Sequence, residues 1–295
     1  MSILPFDQRD GVIWMNGQLV PWKDAKLHVL SHGLHYGGAV FEGERAYDGV
    51  IFKTREHSER FKTSAELLDF EIPYSVDELV AAKDLVIKTN GKRDVYVRPV
   101  AWRGSEMMAV AAQHARTHVA IATWEWPSMF DMATKMKGIR LDIAEFRRPD
   151  PQTAPVASKA AGLYMICTIS KHRAERKGYA DAMMLDWQGR VAEVTGANIF
   201  FTKDGELHTP IADCFLNGIT RQTVIELAQQ NGLKVNERRI MPDDLASFNE
   251  CFVCGTGAEV TPVSEIGPYA FQPGNISRAM IESYAALVKP AQPAF

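Results

Sequence analysis

No run of about twenty apolar residues, the length a helix needs to cross a bilayer, occurs in this chain of 295 residues. Residues 1–9 mix acidic and basic side chains without an apolar core, so they do not read as a secretory signal. Cysteine is scarce: Cys167, Cys214, Cys251 and Cys254 are too few and too scattered for a disulfide framework. Cys251 and Cys254 form a C-x-x-C, but no second pair or histidine cluster follows. The surrounding residues read as a buried strand in which cysteine behaves as a small hydrophobe, so no metal site is expected. A charge surplus is missing as well. With 33 Lys and Arg against 36 Asp and Glu, a net charge of −3 argues against nucleic acid as the main partner. There is no internal repeat, which excludes solenoids and propellers.

What is present is an ordinary soluble balance, 46% apolar and 23% charged, in a chain long enough for two domains. A cytoplasmic enzyme is the expectation. Asn16-Gly17 and Asp48-Gly49, each between apolar runs, predict hairpins. Phe61, Ala65 and Leu68 recur at the spacing of one helical face over residues 58–70. Ser75 and Glu78 form a capping box for a second helix that ends at Asn90-Gly91. Strands are expected at 94–102 and 117–124. Residues 125–137, with Pro127 inside them, keep neither period and read as an inter-domain connection. The expected organisation is α/β: a small domain over 1–124, the connection over 125–137, and a large domain over 138–295 that carries Lys159. Further helices are expected at 162–178, 220–230 and 276–288, with strands and hairpins over 182–209.

Lys159 lies among small and apolar residues, unlike Lys171, Lys177 or Lys203. A partly dry lysine has a lowered pKa and attacks aldehydes, while the ordinary alternative is an exposed loop lysine; position alone does not decide between them. Tyr164, five residues on, cannot share a helical face with Lys159, so both line one pocket only if Lys159 precedes the helix. Leu216-Asn-Gly-Ile-Thr-Arg221 opens an apolar-periodic helix. There Gly218 offers an unusual backbone conformation, Thr220 a cap, and the first amides an anion cup. Cys254-Gly-Thr-Gly-Ala258 is a second glycine-rich turn, with Thr256 as donor. Glu193, on a strand, would hold a pyridine nitrogen protonated if it faced one, and is otherwise a solvated strand residue. One lysine and two such cups begin to describe a phosphate-bearing cofactor.

Seven blocks, in order and spacing, resemble the class IV aminotransferases, specifically the branched-chain amino acid aminotransferase family. They are Ser31-His-Gly-Leu-His-Tyr-Gly-Gly-Ala-Val-Phe-Glu-Gly43, Arg55-Glu-His-Ser-Glu-Arg60, Tyr96-Val-Arg-Pro99, Ser158-Lys-Ala-Ala-Gly-Leu-Tyr164, Val191-Ala-Glu193 with Asn198-Ile-Phe200, Gly218-Ile-Thr-Arg221 and Gly255-Thr-Gly-Ala-Glu259. The resemblance implies a two-domain fold type IV enzyme with pyridoxal 5'-phosphate held between the domains. It makes Lys159 the residue that forms the aldimine, Tyr164 the partner of the cofactor's phenolic oxygen, and Glu193 the partner of the ring nitrogen. Arg60, Gly218, Ile219, Thr220 and Thr256 fall on phosphate-binding positions. Tyr36, Phe41, Tyr96, Arg98, Trp126, Gly257 and Ala258 fall on the substrate side.

The implied reaction is ping-pong transamination of leucine, isoleucine and valine with 2-oxoglutarate, by a homodimer or larger assembly that binds neither nucleic acid nor membrane. Alternatives on the same fold are D-amino acid, aromatic amino acid or (R)-amine transamination and aminodeoxychorismate lysis. A non-catalytic phosphate-ligand protein is the alternative from another class. The chain departs from the family at Met129, where many members carry a tyrosine, and at Val194 and Ala197. Glu44, Arg103 and Glu106 add charge near usually less polar segments.

Overall fold

The structure is a computed structural model that describes residues 4–126 and 131–295. The chain forms two compact units: Met1–Pro127 with Ser158–Gly162 and Lys289–Phe295, and Ser128–Ala157 with Leu163–Val288. The expectation above kept 138–295 in one piece with its lysine. Instead, Ser158–Gly162 packs with the N-terminal unit, because Phe41 N donates to Lys159 O (3.2 Å), Lys159 N donates to Ser64 Oγ (3.0 Å) and Ser158 Oγ donates to Ser64 O (2.8 Å). These bonds give a short buried segment the partners its polar groups need.

In unit one, β1 (Val12–Met15) and β2 (Gln18–Pro21) meet at the predicted turn, with Asn16 at φ 51° and Gly17 at φ 91°. There follow α1 (His32–Tyr36), β3 (Ala39–Phe41), β4 (Glu44–Tyr47), β5 (Val50–Ile51), α2 (Thr54–Glu66), α3 (Val76–Asn90), β6 (Val95–Arg103) and β7 (Thr117–Glu125). The sheet order is β2-β1-β7-β6-β4-β5, with β3 also on β6. Both halves of the Ser75–Glu78 capping box form, and Gly91 closes α3 at φ 66°. On β6 the period of two sends Val95, Val97 and Ala101 into the core with Phe61, Leu79 and Val86 from the helices. The alternate residues Tyr96 and Arg98 therefore face the other way.

In unit two, the stretch expected to be an irregular connection contains a helical turn, α4 (Met132–Lys135), capped by Asp131 accepting from Thr134 N at 2.8 Å. Met129 lies outside the described residues. Then come β8 (Ile139–Ile143), α5 (Met165–Arg176), β9 (Asp181–Leu185), β10 (Val191–Val194), β11 (Asn198–Lys203), β12 (Glu206–Pro210), α6 (Ile219–Gln230), β13 (Val235–Arg238), β14 (Glu250–Gly255), β15 (Glu259–Ile266), β16 (Tyr269–Ala270) and α7 (Asn275–Val288). The sheet runs β10-β9-β8-β15-β14-β11-β12-β13, with β16 on β15. Cys251 and Cys254 are free and fully buried on β14, and burial pushes both thiols well above the ordinary range. Among the described residues no group of three His, Cys, Asp or Glu could hold a metal, and no helix is long and apolar enough to cross a membrane.

Glu44 and Lys83 are both wholly buried and meet at 2.7 Å, with Lys83 Nζ also donating to Ser58 Oγ at 2.7 Å. Breaking one side of a buried pair costs about 3–5 kcal/mol, while replacing both by apolar groups is often neutral. Lys83→Met is therefore expected to destabilise by that amount in urea unfolding, and Glu44→Leu/Lys83→Met to recover most of it. Equal losses in the single and the double variant would contradict this account.

Candidate active site

Lys159 is half-buried, and its backbone is held at both its amide and its carbonyl, as described above. Its Nζ stands 5.0 Å from the centre of the Phe41 ring. Residue 160 continues the contact through a bridge between Val40 and Ala160. The Arg98 guanidinium stacks over the other aromatics of the same face, 4.6 Å from Phe41 and 5.2 Å from Tyr96, and donates to Tyr96 Oη at 3.2 Å. Tyr96 in turn lies between Trp124 (5.0 Å, stacked) and Trp126 (5.4 Å). A Cβ at Gly43 would lie 2.0 Å from Tyr96 Oη, so only glycine lets that ring sit there. Lys159, Phe41, Tyr96, Arg98 and Trp126 thus form one neighbourhood in unit one. Tyr36 lies elsewhere: it is exposed at the end of α1 and stacks on His32 at 4.7 Å.

Arg60 projects from α2 and is oriented by a residue that sequence reasoning did not single out. Glu42 Oε1 accepts from Arg60 Nε at 2.7 Å and Glu42 Oε2 from Arg60 Nη2 at 2.8 Å, a two-point clamp that fixes the plane of the guanidinium. His57 Nδ1 adds a third bond at 2.7 Å. Burial alone would raise the Glu42 carboxyl, but the charges of Arg60 and His57 and their hydrogen bonds hold it well below the ordinary range. A carboxylate inside an otherwise apolar stretch, Ala-Val-Phe-Glu-Gly, was the signal available in the sequence.

In unit two, Tyr164 ends a 3-10 turn (Ala161–Tyr164) and caps α5. Lys159 does precede the helix, as a shared pocket would require. Glu193 is buried on β10 rather than solvated; its Oε1 stands 3.3 Å from Arg148 Nε, and its Oε2 accepts from Asn198 Nδ2 at 3.4 Å. Arg148 lies in a loop and carried no sequence signal. Gly218 caps α6 at φ −61°, an ordinary conformation, so the expected backbone strain is absent. Space is what demands glycine here, because a Cβ at 218 would lie 2.2 Å from Asn198 Oδ1. Thr220 is not the cap but is buried in the first turn, where the amides of Ile219 and Thr220 have no intrahelical acceptor. Thr256, Gly257 and Ala258 form the turn between β14 and β15, with Thr261 Oγ1 donating to Ala258 O at 2.6 Å.

The model of the family "Amino-transferase class IV" matches residues 39–266, more than half of the chain. The chain belongs to the class IV aminotransferases of the branched-chain type. It is 46% identical over 267 residues, covering 90% of each sequence, to a probable branched-chain-amino-acid aminotransferase of Rickettsia felis. It is 41% identical to the branched-chain-amino-acid aminotransferase of Pseudomonas aeruginosa, covering 88% of this chain and 85% of that one. A solved branched-chain amino acid aminotransferase, designated T.th., with pyridoxamine 5'-phosphate superposes with a TM-score of 0.93 at 38% identity, covering 97% of this chain and 96% of that one. That enzyme has also been solved with N-(5'-phosphopyridoxyl)-L-glutamate and with 4-methylvaleric acid.

The three added charges have partners within unit one of this aminotransferase. Glu44 is paired with Lys83; Arg103 donates to the carbonyls of Ala112 and Leu68 (both 3.0 Å) and of Asp69; Glu106 accepts from Arg116 N at 3.1 Å. The depressed Glu42 pKa has a stability consequence. Its contribution is present above the ordinary glutamate pKa of about 4.3 and is lost as pH falls through the lowered folded value. Glu42→Gln should therefore cost about 3–5 kcal/mol near neutral pH. The gap from the native chain should narrow on acidification in urea titrations; a gap independent of pH would show that charge is not its source.

Proposed function

We propose that the chain transfers the amino group of leucine, isoleucine and valine to 2-oxoglutarate, using pyridoxal 5'-phosphate. The donor set fits such a cofactor: an amine on a pinned segment, a buried carboxylate, and a helix start whose free amides suit a phosphate. The pinning of Lys159 beside Phe41 is the observation that carries the reading, because it makes this amine a fixed component rather than a loop lysine. The ligands of the solved T.th. enzyme support it further, since one joins the cofactor to glutamate and another carries a leucine-like branched chain.

On this reading Lys159 Nζ holds the cofactor covalently, and Tyr164 Oη faces its phenolic oxygen. Glu193 would hold a proton on the ring nitrogen, with the Arg148 guanidinium beside that carboxylate at 3.3 Å. The amides of Ile219 and Thr220, the space at Gly218, the Thr256 turn and Arg60 hold the phosphate. Bound pyridoxal phosphate supplies an electron sink for the pair left when the substrate's Cα–H bond breaks. Lys159 Nζ would be the base that takes that proton and returns it on the other side of the transfer. Arg98, fixed by Tyr96 and Phe41, offers a planar fork to the substrate carboxylate. Phe41, Tyr96, Trp126, Gly257 and Ala258 exclude water around an apolar side chain. Exposed Leu27, Val29, Leu30 and Leu34 support assembly into at least a dimer, which sedimentation of the purified protein is expected to show.

The direct test adds single amines to the pyridoxal-phosphate-loaded protein and follows the absorbance of the lysine-linked cofactor. Rapid loss with L-leucine, L-isoleucine and L-valine is expected, with recovery on adding 2-oxoglutarate and no response in Lys159→Ala. A response only to D-amino acids or (R)-amines would overturn the substrate assignment. No such band would overturn the cofactor.

A further inference from the structure

Three separate parts of the proposed cofactor site in unit two meet at one residue, two of them at its side chain. Asn198 is the first residue of β11 and is buried. Its Nδ2 donates to Glu193 Oε2 at 3.4 Å and to Leu216 O at 3.2 Å. Both partners can only accept, so the amide must turn its NH2 toward them, and its oxygen faces the backbone of Gly218. There the fit is close enough that any Cβ at 218 would collide with it. The backbone of Asn198 pairs with Cys254 in the ladder to β14, two residues before Thr256.

We infer that Asn198 is a positioning residue that couples the ring-nitrogen carboxylate to the phosphate cup. A single planar amide is bonded to the carboxylate on one side and braced against the turn that opens α6 on the other. The spacing between Glu193 and the amides of Ile219 and Thr220 is thereby set by a rigid group rather than by two independent loops. A cofactor with a ring nitrogen at one end and a phosphate at the other needs that spacing fixed before it arrives, because each end then binds without ordering the other. Aspartate has nearly the same shape but no donor, and would set a second carboxylate against Glu193. Alanine leaves the Leu216 carbonyl and Glu193 without this link.

The inference rests on the functional reading above, and a thermodynamic cycle separates the two. The dissociation constant of pyridoxal phosphate is measured on the full chain stripped of cofactor, for the native sequence, Glu193→Gln, Asn198→Ala and the double variant, with circular dichroism to check folding. Asn198→Ala is expected to weaken binding, and the Glu193→Gln penalty is expected to shrink about fivefold or more in its presence, the size of coupling found between residues that share a network. Penalties that simply multiply would overturn the inference, because general loosening of the fold predicts independence. A native chain that takes up no pyridoxal phosphate would overturn the functional reading itself, and this inference with it. Where Asn198→Ala does not fold, Gly218→Ala presses on the same amide from the other side. It should weaken binding and reduce the Glu193→Gln penalty alike, and unchanged binding would count against the role.

Discussion

Glu42 carries its carboxylate at zero exposure, and the helix packed against it has to answer that charge. An isolated buried ion would cost many kcal/mol, so the fold must bring cations to it or leave it neutral. α2 brings the Arg60 guanidinium and, three residues earlier on the same turn, a hydrogen bond from His57, and their bonds set how the helix lies on the strand. Strand alternation does the rest. With Glu42 turned to the helix, Phe41 turns to the opposite face, where its ring meets both Arg98 and Lys159. Phe41 also uses its amide to hold the Lys159 carbonyl. One buried charge thus orients the arginine on one side of the strand and, one residue earlier, the lysine neighbourhood on the other.

Unit two reaches a comparable rigidity with neutral groups. Its equivalent of the Glu42 clamp is an amide, and the chain keeps glycine at 218 not for backbone freedom but to let that amide approach. An ionic clamp would put another charge beside Glu193, which already has Arg148 at 3.3 Å. A neutral donor orients the carboxylate without adding to the local charge. The difference between the two clamps follows from what each orients: a cation needs a counter-charge, whereas an anion already paired needs only a bond.

Much of this was legible in the sequence because the signals are local. Asn16-Gly17 specified a turn, Ser75 and Glu78 a helix start, and the apolar spacing of Phe61 and Ala65 the core side of a helix; all formed as expected. Leu68 falls just past the end of α2 and packs on that core only partly buried. Lys159 stood out by its dry surroundings, but not its partners: Ser64 is 95 residues away in sequence. That distance is why Ser158–Gly162 was assigned to the wrong unit. For the same reason Glu42 and Arg148 were not singled out, since each matters through distant residues; Asn198 stood in a family block, but its bond to Leu216 spans 18 residues. Gly218 and Thr220 do stand at the start of α6, but with different physics from the expectation: space instead of conformation at 218, first turn instead of cap at 220.

The charges that set this chain apart from its family pattern bear on what it can bind. Seen in sequence, Glu44, Arg103 and Glu106 add charge near segments that are usually less polar. In the fold each already has a partner: a lysine at zero exposure, three backbone carbonyls, and a backbone amide beside His118. A charge whose bonds are already made to the protein offers a ligand little, because a new partner must first displace the old one. What stays on the Phe41 face is aromatic surface around the Arg98 guanidinium. Aromatic walls favour an apolar side chain, and a planar cation favours a carboxylate. Those are the two ends of a branched-chain amino acid, so the departures in charge do not count against the proposed substrate.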